Sequence, residues 1–405
     1  MHLDARGKMI CIDCLHISLN RKLLLAVGLW PYQQSKFVRF QLILLFAILT
    51  SFIIFQFTAF MTSKCTPDLI INVLSSALFY IMFLIKYSFF HINIEVAKCL
   101  LEQLQNIYNE LTDKNEIRII KKYGIYAKRY TAGLILVVIF SAPGLILYPF
   151  WPYFFNILLS INVSRSHLSL KKMYVTEYFV DQKKYFYLIL LHANAALYVG
   201  VFTILAIGTI FIVYQQHACG MFRIASYRIE KAMAVDISQK GNLRNRNLIY
   251  KELIRAVDMH REAMRFSDSA VSRFKVMYSL MILVGVISGS LNFFRIFQAL
   301  SFGYDAEELL LPLISVSTYL SIIFVGNYIA QEIMDHNNDV FISAYNIQWY
   351  AASVNVQKMI LFLLQRSTKV FNINIAGLFV GSLEGAATLL STIMSYFTVL
   401  YSTRM

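Results

Sequence analysis

Seven long apolar runs, separated by polar segments, divide the chain: Phe40–Met61, Leu69–Phe90, Thr131–Asn156, Tyr185–Tyr214, Phe274–Leu300, Leu309–Ala330 and Ile373–Ser402. A helix needs about 20 largely apolar residues to cross a hydrocarbon layer. Each run meets that length, so the pattern predicts seven transmembrane helices. The third run is the least regular. Pro143, Pro149 and Pro152 remove backbone donors from its second half and should bend it. Such breaks survive at membrane depth only against protein or a water-filled cavity.

Between the spans the pattern changes from continuous to periodic. In His217–Met233, Phe222, Ala225, Ile229 and Met233 recur at helical spacing, with Arg223, Arg228 and Lys231 on the polar face. Ile249, Leu253, Val257 and Met264 continue the pattern, and Trp349, Val356, Ile360 and Leu363 repeat it. An amphipathic helix in water must bury its stripe. These helices either pack on one another within one chain or form a platform through which subunits associate, and the two readings are compatible.

Charge sets the orientation. With the N-terminus inside, segments 1–39, 91–130, 215–273 and 331–372 are cytoplasmic and hold 27 of the 37 Lys and Arg residues. The external segments hold 7. Positive residues concentrate on the cytoplasmic side, so the N-terminus is expected inside and the C-terminus outside. The domain organisation expected is a cytoplasmic segment 1–39 and spans one to six within 40–330, carrying cytoplasmic extensions 91–130 and 215–273. Anchor helices follow at 331–372, then a seventh helix at 373–405. The sequon Asn162-Val163-Ser164 falls in an external loop, making Asn162 a candidate glycosylation site.

Composition agrees: 58% of residues are hydrophobic and 15% charged, against roughly 25% charged in a soluble domain. The net charge of +14 reads as loop lysine and arginine beside lipid, not as a nucleic-acid surface. Cys11 and Cys14 have CxxC spacing, but no second pair or matching histidines complete a zinc site. Free thiols are expected, with only Cys65 extracellular and no disulfide framework. No metal, cofactor or catalytic set is expected: His167, His192 and His217 lack metal or catalytic spacing. No cleaved leader is expected, because the first apolar run spans a full membrane width. Seven spans invite comparison with G-protein-coupled receptors, but those have the opposite orientation, and neither Asp-Arg-Tyr after the third span nor Asn-Pro-x-x-Tyr in the seventh occurs here.

Three stretches carry a resemblance. LLLAVGLWPYQ (Leu23–Gln33), HACGMFRIASYRIEKAM (His217–Met233) and GLFVGSLEGAATLLSTIMSYFTVLYSTRM (Gly377–Met405), with seven N-inside spans, resemble the insect odorant receptor family. The chain resembles a variable, ligand-tuning subunit and not the co-receptor Orco, whose cytoplasmic loop between the fourth and fifth spans is much longer. The resemblance implies an odorant-gated, non-selective cation channel, assembled as a heterotetramer with Orco. It further implies a plasma-membrane location in the dendrite of an olfactory sensory neuron. The seventh helix would line a central pore. A family ending of Thr-Tyr, five mostly apolar residues, Gln and a bulky apolar residue places Tyr396 in the motif and Val399 at the apolar gate. Ser402 stands where the Gln is usual and Thr403 where the apolar residue is usual. Glu384 is a pore or interface candidate.

The implied ligand is a small volatile in the outer half of the bundle, where a concave, mostly apolar pocket is needed. Candidate lining residues are Ser76, Phe79, Tyr80 and Phe83 in the second span and Ser141, Gly144, Tyr148 and Trp151 in the third. Leu190, Asn194 and Tyr198 follow in the fourth, Phe293, Phe294 and Phe297 in the fifth and Tyr319 in the sixth. Ser141, Gly144 and Tyr148 reproduce the family's small, small, aromatic pattern. Arg295 either pairs with Asp305 or Glu307 or meets a polar group of a ligand. A gustatory-type channel is the close alternative, though it keeps a stricter Thr-Tyr…Gln-Phe ending. A secondary transporter would need paired broken helices in two related halves, and only one proline-broken span is present.

Overall fold

The computed structural model describes residues 2–3, 9–33, 35–147, 175–182, 184–238, 243–302, 306–367, 371–375, 377 and 379–403. After a short hairpin of β1 (His2–Leu3) and β2 (Met9–Ile10) come α1 (Ser18–Ala26), α2 (Lys36–Phe57), α3 (Ala59–Thr62), α4 (Pro67–Ile92) and α5 (Ile94–Glu110). Then follow α6 (Lys114–Leu147), α7 (Phe186–Ser238), α8 (Leu243–Ser272), α9 (Lys275–Phe302), α10 (Ala306–Asn346) and α11 (Val354–Ser367). A second hairpin, β3 (Ile373–Ile375) and β4 (Phe379–Gly381), leads into α12 (Leu383–Ser402). Among the described residues, seven helices are long and apolar enough to cross a membrane.

Local chemistry sets the helix starts. Ser35 Oγ accepts from the Val38 amide at the head of α2. Thr66 does the same for Leu69, with Pro67 in the first turn of α4, where a missing N–H costs nothing. Ser382 Oγ accepts from the Gly385 amide at the head of α12. These capping bonds satisfy donors that a helix leaves open.

The seventh span differs from the expected Ile373–Ser402. Its start holds the hairpin strands Ile373–Ile375 and Phe379–Gly381, with Gly377 between them at φ 74°, a backbone conformation that favours glycine. A Cβ on Gly385 would lie 2.3 Å from the Val380 carbonyl oxygen, so the hairpin folds tightly over the first turn of α12. An apolar run alone does not separate a short buried strand pair from a helix. In the third span, helix α6 continues through position 143 to Leu147, and positions 149 and 152 lie outside the described residues. A second correction concerns cysteine. Cys11 and Cys14, expected as free thiols, are joined by a disulfide, their Cα atoms 5.3 Å apart across a tight turn, within bridging range.

Helix α7 is the spine, running 53 residues from the fourth span into the region expected to be cytoplasmic. Its first part packs on α2, α4 and α6, and its last part on α6, α8 and α10. One core lies among the spans, around Phe79, Phe83, Phe90, Ile207 and Tyr214. A second lies below it, built from Phe222, Ala225, Ile229, Met233, Ile249, Leu253, Val356, Ile360 and Leu363. The amphipathic stripes therefore pack on one another within the chain. Arg228, expected on a polar face, is buried instead. Its Nε and Nη2 donate to Glu116 at 2.7 and 2.9 Å, and its Nη1 donates to the Arg255 carbonyl at 2.9 Å.

This bidentate pair ties α6 to α7 and α8. Breaking a buried pair leaves an uncompensated charge, at a cost of about 3–5 kcal/mol. Glu116→Ala is expected to lower the thermal unfolding midpoint and the yield of folded protein in detergent, with little rescue by salt. A second expectation concerns His260, buried on α8 with its Nε2 2.9 Å from Asn337 Oδ1. Burial holds its pKa below the ordinary 6.5, so the unfolded chain binds the proton more readily than the folded one. Stability is full above the ordinary value and declines as pH falls below it. The unfolding midpoint should drop between about pH 7.5 and about pH 5.5, and His260→Gln should flatten that slope.

Candidate functional site

Two features stand out in the span region: a cavity inside the bundle, and one face of α12. The cavity, about 550 Å³, has the size of a small-molecule site. It lies among α4, α6, α7, α9, α10 and α12, and its walls are mostly aliphatic. Tyr198, Thr209, Gln215, Tyr278 and Tyr319 add polar atoms, and Lys86 adds one ammonium group. Leu389 and Ile393 of α12 form part of the same wall.

A buried polar network braces the cavity on one side. Ser288 Oγ and Asn292 Nδ2 of α9 donate to the Ser75 carbonyl of α4 at 3.1 and 3.3 Å. Tyr319 of α10 donates to Ser288 Oγ at 2.6 Å. Arg295 Nη1 donates to Ser75 Oγ at 3.1 Å. One short stretch of α4 thus receives bonds from α9, which in turn receives one from α10. Side chains of this kind lock helices together where lipid offers no competing partner.

The sequence-derived ligand candidates fall into five groups. Tyr198 and Tyr319 line the cavity. Ser76, Phe79, Tyr80 and Phe83 are buried beside it, the three aromatics forming an edge-to-face cluster with ring centroids 4.6–5.8 Å apart. Phe79 also meets Tyr319 at 5.8 Å. Gly200 lets α7 lie against this cluster, since a Cβ there would fall 1.9 Å from Phe83 Cδ2. Leu190 is buried on α7. Asn194, half-buried one turn along, keeps a buried Oδ1 with no hydrogen-bond partner among the described residues.

Phe294 and Phe297 lie elsewhere. Phe294 packs with Ile71 and Leu291 against residues of α12, and Phe297 stacks edge-on to Tyr401 at 4.8 Å. Phe293 lies 6.5 Å from Phe397 on α12. These phenylalanines lie two to three turns further along α9 than the residues that line the cavity, where α9 meets Phe397 and Tyr401 of α12. Ser141 and Gly144 lie on α6 with side chains outside the described set. Tyr148, Trp151 and Asn162 lie outside the described residues, as does the position of Asp305.

Helix α12 is poorly covered for an apolar helix. Only Ala386 and Ile393 are buried. Its covered side packs on α9, where Ser290 Oγ donates to the Ile393 carbonyl at 3.0 Å. The Ser382 amide donates to Asn327 Oδ1 of α10 at 3.0 Å. On the open side Glu384, Thr388, Ser391, Ser395, Thr398 and Ser402 are all exposed. Their spacing of four, three, four, three and four residues follows one face of a helix. Tyr396 and Val399 flank this stripe at 58% and 57% exposure, and Thr403 ends it. Thr388, Thr398 and Ser402 donate only to carbonyls of their own helix.

The comparisons with known proteins fit this architecture. A family model described as 7tm Odorant receptor matches residues 66–394. The chain belongs to that family. Odorant receptor 30a of Drosophila melanogaster is 34% identical to the receptor over 89 residues, a match spanning 21% of this chain and 24% of that relative. The fold resembles the insect olfactory receptor OR5 from Machilis hrabei in complex with eugenol, with a TM-score of 0.71, 17% identity and 97% coverage of both chains. The OR5 structure described without that ligand gives 0.62 at 16% identity, covering 96% of this chain and 97% of that one. The receptor is thus a multi-pass membrane protein of seven spans, and not an enzyme. Sequence reasoning missed most of the receptor's cavity, including Met82, Gly208, Tyr278 and Met281. It passed over Lys86 as a ligand contact, although a lone charge inside an apolar run was visible.

Proposed function

We propose that the chain is the ligand-tuning subunit of an odorant-gated, non-selective cation channel, assembled with Orco as a heterotetramer around a central pore lined by α12. The polar stripe on α12 carries this reading. A helix packed in lipid has no use for Glu384 and five hydroxyl side chains along one face, and an intramembrane carboxylate faces protein or water. With the stripe turned to a shared axis, each group faces water. Val399, beside the stripe at the outer end, then supplies the apolar ring that excludes water when the pore is shut. Ser402 and Thr403 beyond it give a weaker seal, which suits a subunit that shares its gate with Orco.

Ligand and gate are close neighbours in this arrangement. Leu389 and Ile393 face the cavity, while Ser391, Ser395 and Thr398 occupy the opposite, open side. A small volatile, of the size of eugenol, would rest among Phe79, Tyr80, Phe83, Asn194, Tyr198 and Tyr319, and the family's small, small, aromatic pattern keeps Ser141, Gly144 and Tyr148, with Trp151, as further candidate contacts. Asn194 Oδ1, buried without a partner among the described residues, gives such a ligand a hydrogen-bond acceptor. Occupancy that favours one packing of α12 over another shifts the gate by its differential affinity for the two states. The location that follows is the plasma membrane of an olfactory sensory neuron dendrite, with the N-terminus cytoplasmic, the C-terminus outside and Asn162 open to glycosylation.

The test is direct. The chain is expressed with and without Orco, and cation current is recorded against a panel of volatiles. Ligand-evoked current with Orco is expected, and Val399→Ser should raise the current that flows without ligand. Surface delivery without current for any volatile contradicts the reading.

A further inference from the structure

Among the described residues lining the cavity, Lys86 is the one cationic side chain, and none is an aspartate or glutamate. It is 6% exposed, and among the described residues it makes no hydrogen bond or ion pair. A lysine near the end of a membrane helix ordinarily snorkels its ammonium to the surface. Lys86 instead points between α4 and α7, toward Gly208. A Cβ on Gly208 would lie 3.7 Å from the lysine Nζ, so the missing side chain leaves room beside the charge. Aliphatic walls extend from that point through Leu134, Val201, Met281, Ile322 and Ile393.

The arrangement is an apolar slot with one positive charge and, among the described residues, no counter-charge. Burying an unpaired ammonium is costly, and an opposite charge with good geometry offsets that cost. The other polar side chains of the wall are largely engaged. Gln215 Oε1 accepts from Ser267, Thr209 donates to the Ala206 carbonyl and Tyr319 donates to Ser288. Lys86 is left as the group with three donors to offer.

We infer that the cavity takes a small carboxylic acid: its apolar chain against the aliphatic walls, its carboxylate on Lys86 Nζ. The inference rests on the reading of this chain as a receptor for small ligands and names the chemical class. A charge-assisted pair is about twice as strong as a neutral hydrogen bond. An acid should therefore bind better than its methyl ester or the alcohol of equal length. Neutral volatiles of similar size meet the same walls without the pair, so the cavity ranks its ligands by head group first and chain length second. The site lies deeper along α4 than the aromatic cluster, since Lys86 follows Phe83 by one turn. Chains too short to reach from the aromatics to the ammonium should lose the preference.

Two measurements test this on the full chain purified in detergent and on the chain expressed with Orco. The first is ligand-induced thermal stabilisation with straight-chain acids, their methyl esters and their alcohols. Wild type should be stabilised by one or more acids at concentrations at least roughly tenfold below those needed for the matching ester. Lys86→Met should close that gap, and Lys86→Arg, which keeps the charge should Met fail to fold, should retain it. The second is the ratio of half-maximal concentrations for acid and ester in current recordings, which Lys86→Met should bring toward one. No acid-over-ester preference in wild type overturns the inference, as does a preference that survives Lys86→Met. An anionic phospholipid that co-purifies with wild type and is absent from Lys86→Met overturns it in favour of a resident lipid. Lys86-dependent acid stabilisation without any current leaves the site standing and removes the channel reading instead.

Discussion

A polar group surrounded by lipid must find a partner, and this constraint organises the span region. Backbone groups meet it by forming helices. Side chains meet it in three ways. Some bond to their own helix, as Thr50 does to the Phe46 carbonyl. Some bond across helices, as Ser288, Asn292, Tyr319 and Arg295 do around Ser75. Others are left for water or ligand in the proposed reading: the exposed stripe on α12, whose hydroxyls bond only to their own helix, together with Asn194 and Lys86. The functional reading is built on this last group. Gln56 of α2 also keeps its side-chain amide buried without a partner among the described residues.

Packing follows two regimes along one continuous helix. Within lipid, apolar contact gains little over contact with acyl chains, so close fit and hydrogen bonds decide association. Gly200 against Phe83 and Gly289 against Ile393 show that fit. Below the spans, water returns and the hydrophobic effect holds α7, α8, α10 and α11 around Phe222 and Leu253. Because α7 passes through both regions, a shift at the cavity meets a rigid base. Helix α12 lacks that anchorage: few of its side chains are buried, and its head is fixed through Ser382 to Asn327. The element best placed to move is the one that borders both cavity and open face.

Much of the fold was legible in the sequence, because span length and the amphipathic stripes are one-dimensional signals. The seven spans follow from the length of the apolar runs, and the amphipathic stripes of Phe222–Met233 and Val356–Leu363 from periodicity. The hairpin at Ile373–Gly381 was not legible, since a short apolar strand pair joined to an apolar helix reads as one run. Arg228 was misplaced because its partner Glu116 lies 112 positions away, beyond any local pattern. The site was legible in part. Tyr198 and Tyr319 emerged as aromatic candidates within the apolar runs, whereas the cavity as a whole depends on which faces of six helices turn inward. That is a tertiary fact, and it is also why Phe294 and Phe297 turned out to face α12.

In the proposed channel, the open stripe of α12 faces a water-filled conduction path. Single cysteines placed along the helix, in the chain assembled with Orco, read that directly through block of current by a water-soluble thiol reagent. The account predicts block at Thr388, Ser391, Ser395 and Thr398, with Ile393 and Leu400 insensitive. Block without this helical period, or block confined to the side carrying Ile393 and Leu400, would contradict it.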